Sequence, residues 1–190
     1  QVLTRTTTDP ATGQSRTTTN NYCEQADVTA GACPFVGLLK SVDGSRTDVA
    51  DTSTYAYRMD DHPGCAAAPT TCEYRKGNLW KITNALNQVT EFIAYDGAGR
   101  LLRQKDANGV ITDLVYHPRG WLISRTVRAN ADGSPDPALD ARTHLEYEPY
   151  GDIKRVIQPD DSGLEYCRDQ AHRITAVVST TFAQASRCNG

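Results

Sequence analysis

The chain is short of apolar bulk. Hydrophobic residues make up 38% of its 190 positions, below the about 45–50% usual in globular domains, a range that also counts Gly. Phe occurs three times and Met once, so a deep core filled by large apolar side chains is not the expected plan. No run of 18 apolar residues occurs, which excludes a helical membrane span. Basic charge gives no excess either. Twenty Lys and Arg stand against 23 Asp and Glu, for a net charge of −3, and the basic patch or stripe of a nucleic-acid binder is missing. The chain has no initiator Met and no signal segment, and absence of the latter does not fix localisation. Gln1-Val2-Leu3-Thr4 already reads as the interior of a repeat, so a fragment or mature segment of a longer protein is expected.

Motifs that carry chemistry are lacking as well. There is no G-x-S-x-G, no phosphate loop and no zinc-protease helix. The histidines are His62, His117, His144 and His172. His117 and His172 fall in or beside turns, His62 lies in a Pro/Gly loop, and His144 sits on the polar side of a strand-like run. The aspartates cluster at Asp-x-x-Gly turns, where their side chains bond the local backbone. No catalytic residue, no cofactor and no metal are therefore expected, and the chain reads as a non-enzyme.

What the chain does have is a recurring phrase. Tyr95-Asp96-Gly97-Ala98-Gly99-Arg100-Leu101 returns as Tyr116-His117-Pro118-Arg119-Gly120-Trp121-Leu122 and as Tyr147-Glu148-Pro149-Tyr150-Gly151-Asp152-Ile153. A looser copy is Tyr166 followed by His172-Arg173-Ile174, and an earlier one runs from Tyr74 to Gly77-Asn78-Leu79. Gly77 and Gly99 are 22 residues apart, Gly99 and Gly120 are 21 apart, and Gly151 and His172 are 21 apart. A fixed period of that size marks one supersecondary unit copied many times.

The unit itself reads as a hairpin. Arg100 to Lys105 is a short alternating run, Asp106-Ala107-Asn108-Gly109 is a turn with Gly for positive φ, and Val110 to Tyr116 is β-branched and aromatic. In the preceding unit Asn87 stands where Gly109 stands here, and Asn is the residue that best replaces Gly in left-handed backbone. Later, Ile153 to Ile157 leads through Pro159-Asp160-Asp161-Ser162-Gly163 to Leu164-Glu165-Tyr166. The N-terminal stretch gives Asp9 to Gly13 and a Thr-rich strand ending at Tyr22, and a further copy runs from Gly37 to Tyr57. The expected fold is all-β, with consecutive antiparallel hairpins of about 21 residues forming an extended twisted sheet. Leu101, Leu114, Leu122, Ile123, Ile153 and Val156 are expected to bury against neighbouring units. From Ala171 to Ala185 the repeat fades and no element is assigned.

Insertions break the period near residues 23–33, 58–73 and 128–140. The last is rich in Asp, Pro, Ala and Gly and reads as a solvated loop. The first two are bracketed by Cys23 and Cys33 and by Cys65 and Cys72, which suggests two local disulfides and an oxidising destination. Free thiols in a cytosolic product are the other reading. The C-x9-C and C-x6-C spacings do not make a zinc site. Cys167 and Cys188 have no obvious mates beyond each other or segments outside this chain.

The repeat residues closely resemble the Rhs/YD-repeat family. Tyr95, Asp96, Gly99, Arg100 and Leu101, with Asp106, Gly109, a Thr-containing strand and Tyr116, carry the resemblance. Gly120, Tyr147, Gly151 and Tyr166 continue it, and it covers residues 1–178. The family includes bacterial polymorphic toxins, the shell component of insecticidal toxin complexes, and teneurins. The resemblance implies a strip of hairpins spiralling into a hollow cocoon, whose wall in bacterial members encloses a C-terminal toxin domain. It implies as partners the rest of a longer chain and that toxin domain, in a secreted or cell-surface protein delivered by a secretion system. The self-cleaving aspartyl protease region and the variable toxin domain of the family are not visible, and residues 179–190 do not continue the pattern. The alternative reading is a carbohydrate-binding cell-surface module, with Trp80 or Trp121 meeting a glycan.

Overall fold

The computed structural model describes residues 1–188. The chain is all-β apart from two short helical turns, and it divides into two compact units, residues 1–109 and 110–190. The first unit holds β1 (Thr4–Thr8), β2 (Ser15–Tyr22), β3 (Leu39–Asp43), β4 (Ser53–Tyr57), β5 (Leu79–Thr83), β6 (Val89–Tyr95) and β7 (Leu101–Lys105). Its insertions carry α1 (Gln25–Thr29) and a 3-10 turn at Pro63–Ala66. The second unit holds β8 (Ile111–Tyr116), β9 (Leu122–Val127), β10 (Ala141–Tyr147), β11 (Ile153–Ile157), β12 (Gly163–Arg168) and β13 (Ile174–Thr180). Within each unit the strands lie side by side in chain order, and successive strands pair antiparallel. Consecutive hairpins are thus the whole architecture, as the turn spacing requires. The strand over 174–180 falls in the stretch to which the sequence assigns no element.

The core is thin. Among the described residues the buried apolar side chains are Cys23, Cys33, Cys65, Tyr95, Ile111 and Ile157. Three of these are disulfide halves. Strands β5 and β7 are half-buried at every position. A sheet covered on one face shows clean alternation of buried and exposed residues; a layer open on both sides does not. Leu101, Leu114, Leu122, Ile123, Ile153 and Val156, expected to bury between units, are half-buried throughout, because one layer supplies neighbours sideways but little above or below.

Covalent links offset the missing core. Cys23 pairs with Cys33 and Cys65 with Cys72, as the loop spacing suggests. A third bond joins Cys167 to Cys188, and no described cysteine is free. The 128–140 insertion, expected to be a solvated loop, is tied at its base. Arg128 donates from Nη1 to Asp140 at 2.7 Å and from Nε to Asp113 at 2.6 Å, and its amide donates to the Ile111 carbonyl at 2.8 Å. Burial works against its charge, but these two carboxylates outweigh it and raise its pKa further.

The sequence reads the turn of the penultimate unit over Pro159 to Gly163, and in the structure residues 158–162 lie between β11 and β12. Asp161 takes the left-handed conformation, with φ of 66°, and its amide donates to the Gln158 carbonyl at 3.1 Å. Gly163 instead begins β12 opposite Ile157. Asp tolerates left-handed backbone better than most residues, so the turn needs no Gly.

Candidate functional site

The feature that repeats with atomic fidelity is a clasp built on tyrosine. Tyr95 ends β6 and its hydroxyl donates to the Leu79 carbonyl at 2.6 Å. Tyr57, ending β4, donates to the Leu39 carbonyl at 2.8 Å. Tyr147, ending β10, donates to the Leu122 carbonyl at 2.8 Å, and Tyr22 reaches the Val2 carbonyl at 3.1 Å. In β4, β6 and β10 the acceptor is the first residue of an earlier strand, while the ring sits opposite the first residue of the next one: Leu79, Leu101 and Ile153. Each clasp tyrosine therefore ties the start of one repeat to the start of the following repeat. A hydrogen bond from a hydroxyl to an otherwise unmet carbonyl contributes about 1 kcal/mol.

A β-bulge precedes every clasp. Ala94 faces Arg103 but Tyr95 faces Leu101, so Leu102 is the unpaired residue. The same jump leaves out Lys40, Trp80, Ile123, Lys154 and Thr175. A bulge re-aims the side chains beyond it. Here it turns the ring back over its own strip. Tyr116 has the same position, opposite Leu122 after a bulge.

The sequence counts Tyr166 among the repeat positions, and in the structure Arg168 holds the clasp position of that unit. Tyr166 lies opposite Val177 within the ladder, whereas Arg168 follows the bulge and faces Ile174. Its Nη1 donates to the Ile153 carbonyl at 2.6 Å. A guanidinium thus replaces the phenol at the same acceptor. Nothing in the period reveals this, because the residue type changed.

The turn after the clasp is equally regular. Asp96 accepts the amides of Ala98 and Arg100 at 2.9 Å each through Oδ1, and Arg100 Nε donates to Oδ2 at 2.6 Å. Asp169 repeats the pattern, accepting from Ala171 at 2.9 Å, the Arg173 amide at 3.0 Å and Arg173 Nε at 2.8 Å. Burial raises the Asp96 pKa, but the amides of Arg100 and Ala98 and the Arg100 guanidinium outweigh it and hold the carboxyl below its usual value. In the second hairpin turn, Asp106 accepts the Asn108 amide at 2.9 Å. His117 substitutes for Asp, its Nδ1 accepting the Arg119 amide at 3.1 Å. Position four of these turns is left-handed at Gly99, Gly109, Gly120, Gly151, Asn87 and His172.

Adjacent turns also stack. A Cβ at Gly151 would lie 2.9 Å from Trp121 Cζ2, so the indole rests on the bare backbone of the next turn. His117 stacks on Trp121 with centroids 5.0 Å apart, Tyr147 lies 5.3 Å away, and Arg119 donates to the Pro149 carbonyl. Tyr150 meets His172 at 3.9 Å. Trp80, in the first unit, donates from Nε1 to Glu91 at 2.9 Å, and Lys81 sits 4.0 Å from its centroid. His144 is half-buried rather than on a polar rim, set against Phe182 at 5.3 Å. Burial lowers its pKa first, and Arg142 lowers it further.

Among the described residues no cluster of His, Cys, Asp and Glu could hold a metal ion, and no helix is long and apolar enough to cross a membrane. The arrangement defines a β-hairpin repeat protein whose shared chemistry is self-adhesion between successive units. Residues 95–134 match the family model described as RHS Repeat. No curated protein sequence matches it. Among solved structures, the crystal structure of TcdB2-TccC3-Cdc42 aligns with a TM-score of 0.54 at 19% identity, over 86% of this chain and 7% of that one. TcdB2-TccC3-TEV aligns at 0.38 and 15% identity over 93% and 11%, and the Photorhabdus luminescens Tc holotoxin pore at 0.31 and 13% over 94% and 13%. The first likeness concerns the fold, and the chain spans a small fraction of each of these proteins.

Proposed function

We propose that the chain is a wall segment of an Rhs/YD-repeat shell that encloses a C-terminal toxin domain and takes part in its delivery, in bacterial competition or virulence. The repeated clasp carries this reading. Tyr57, Tyr95 and Tyr147, and Arg168 in their place, each engage an earlier and a later repeat, which is the linkage a continuing strip needs. β1 is exposed along its whole length and β13 along most of it, and further repeats would continue the ladders there. The array is taken as residues 1–178 and the non-repeat end as 179–190, of which 189–190 lie outside the described residues. The partners are then the rest of a longer chain and the enclosed domain, in a secreted or cell-surface protein, with export through a secretion system. No residue is assigned a catalytic role. The turn carboxylates hold backbone amides, and the lowered pKa values of Asp96 and Asp169 have that structural cause.

The test is protection of cargo. In the full-length protein, the C-terminal domain should resist an added protease until the shell is unfolded. Digestion of that domain in the native protein as fast as in isolation would overturn the reading.

A second reading, a carbohydrate-binding module, draws on a groove of about 540 Å³ lined in part by Trp121, Tyr147, Glu146, Glu148 and Lys154. It has the weaker support, because the Trp121 ring is already engaged by His117 and Gly151. Glycan-array binding that disappears in Trp121→Ala would favour it.

A further inference from the structure

After β13 the chain turns back. Residues 181–188 form no strand and cross the face of the second unit that carries His144, Arg155, Ile157 and Glu165. The contacts are few and specific. The Phe182 amide donates to Asp161 Oδ1 at 3.0 Å. The Ser186 hydroxyl bonds one oxygen of Glu165, and the Arg187 amide donates to the other at 2.9 Å. Arg187 Nη1 reaches the Ser179 carbonyl at 3.2 Å. Cys188 closes the segment by its disulfide to Cys167, two residues beyond Glu165 on the same face. This strap leaves Glu165 with 0% exposure, beside Arg155.

The strap's own grip is weak. Residues 182–187 are all exposed, and the Phe182 ring is 59% exposed. Hydrogen bonds at such an edge compete with water and contribute little each. The disulfide is what keeps the strap near its acceptors. Of the three bonds it is the one with neither cysteine buried. Cys23, Cys33 and Cys65 are buried, at 1%, 4% and 6% exposure, whereas Cys72, Cys167 and Cys188 are half-buried. Thiol–disulfide exchange needs access for the attacking thiolate.

We propose that Cys167–Cys188 is a redox-sensitive clasp, and that a dithiol reductant releases residues 181–188 and uncovers the Glu165–Arg155 face while the sheet stays paired. One thiolate of the dithiol attacks a sulfur of the bond and forms a mixed disulfide, expelling the other cysteine as thiolate. The second thiol then displaces the first cysteine, so the dithiol leaves oxidised and both cysteines end reduced. Two electrons pass from the dithiol to the protein. The inference stands on the strap's geometry and not on the shell reading.

Hydrogen exchange on the whole chain tests it, with dithiothreitol as the dithiol and Cys167→Ser/Cys188→Ser as the reduced mimic. The Arg187 amide should exchange about tenfold faster or more in both, with ladder amides of β11 and β12 unchanged. Trypsin should then cut after Arg187 faster in the same two samples. Unchanged Arg187 exchange, loss of the β11–β12 ladder together with the strap, or earlier reduction of Cys23–Cys33 would each overturn the proposal.

Discussion

The Tyr95 hydroxyl and the Leu79 carbonyl, 16 residues apart in sequence, meet at 2.6 Å. The ring is 9% exposed, so the carbonyl it satisfies has little water to fall back on. Tyr95→Phe keeps the ring and removes the donor. It should cost about 1–2 kcal/mol in stability, read from the midpoint of urea unfolding. A change below about 0.3 kcal/mol would mean that the clasp is geometry without energy.

The same phenol makes an alkaline prediction. Burial pushes the Tyr95 pKa up to about 12, while Arg58 pulls the other way. Its folded value lies above its unfolded value of 10.0, so its contribution is whole below pH 10 and is lost as pH rises towards about 12. Burial raises the Tyr57 and Tyr147 pKa values as well, so phenolate absorbance during a rapid pH jump should show a lagging tyrosine fraction, and Tyr95→Phe should shrink it. A Tyr95→Phe titration that superimposes on wild type would reject it.

The turn carboxylates act at the other end of the pH scale. Asp96 is held below its usual value by the Arg100 and Ala98 amides and the Arg100 guanidinium against opposing burial. Its stabilisation is present above the unfolded value of 3.8 and is lost as pH falls through the lower folded value. Asp96→Asn keeps one acceptor oxygen and removes the charge. It should flatten the acid limb of the stability profile while lowering stability at neutral pH by about 1 kcal/mol. An acid limb identical to wild type would show that Asp96 is not a determinant.

Much of this was legible in the sequence because the turns are local. Asp96 bonds amides two and four residues away, so its motif survives as a short string, and Asn87 could be read as a left-handed substitute for Gly. Errors arose where a function passed to another residue type. Arg168 took over from tyrosine because a guanidinium also reaches a carbonyl, and Asp161 took a left-handed place that Gly holds in other turns. The bulges left no trace, since one unpaired residue does not disturb a period of about 21. The strap was invisible for a different reason. It has no periodicity, and its acceptor Glu165 lies 21 and 22 residues from Ser186 and Arg187.

The Cys23–Cys33 bond closes a short loop around α1, with a sequence separation of 10. Chain-entropy reasoning gives about 2–3 kcal/mol for such a loop. Replacing both cysteines with Ser should lower the first unit's unfolding free energy by that amount, read from its urea midpoint, and leave the second unit's hydrogen exchange unchanged. A loss shared by both units would mean that they unfold as one body.

Gly151 offers the sharpest test of turn stacking. Its φ of 107° is left-handed territory, and a Cβ there would meet Trp121 Cζ2 at 2.9 Å and Cε2 at 3.2 Å. Gly151→Ala therefore adds backbone strain to a ring clash, for a cost of about 2–3 kcal/mol. Gly99 also has positive φ, at 78°, but a Cβ there would meet nothing within 4 Å. Gly99→Ala should cost only the backbone part, about 1–2 kcal/mol. The difference between the two variants isolates the indole contact. Trp121→Leu should shrink that difference, since the smaller side chain leaves room for the methyl. Equal costs for the two Ala variants in the wild-type background would show that Trp121 shifts freely and that the turns do not grip one another.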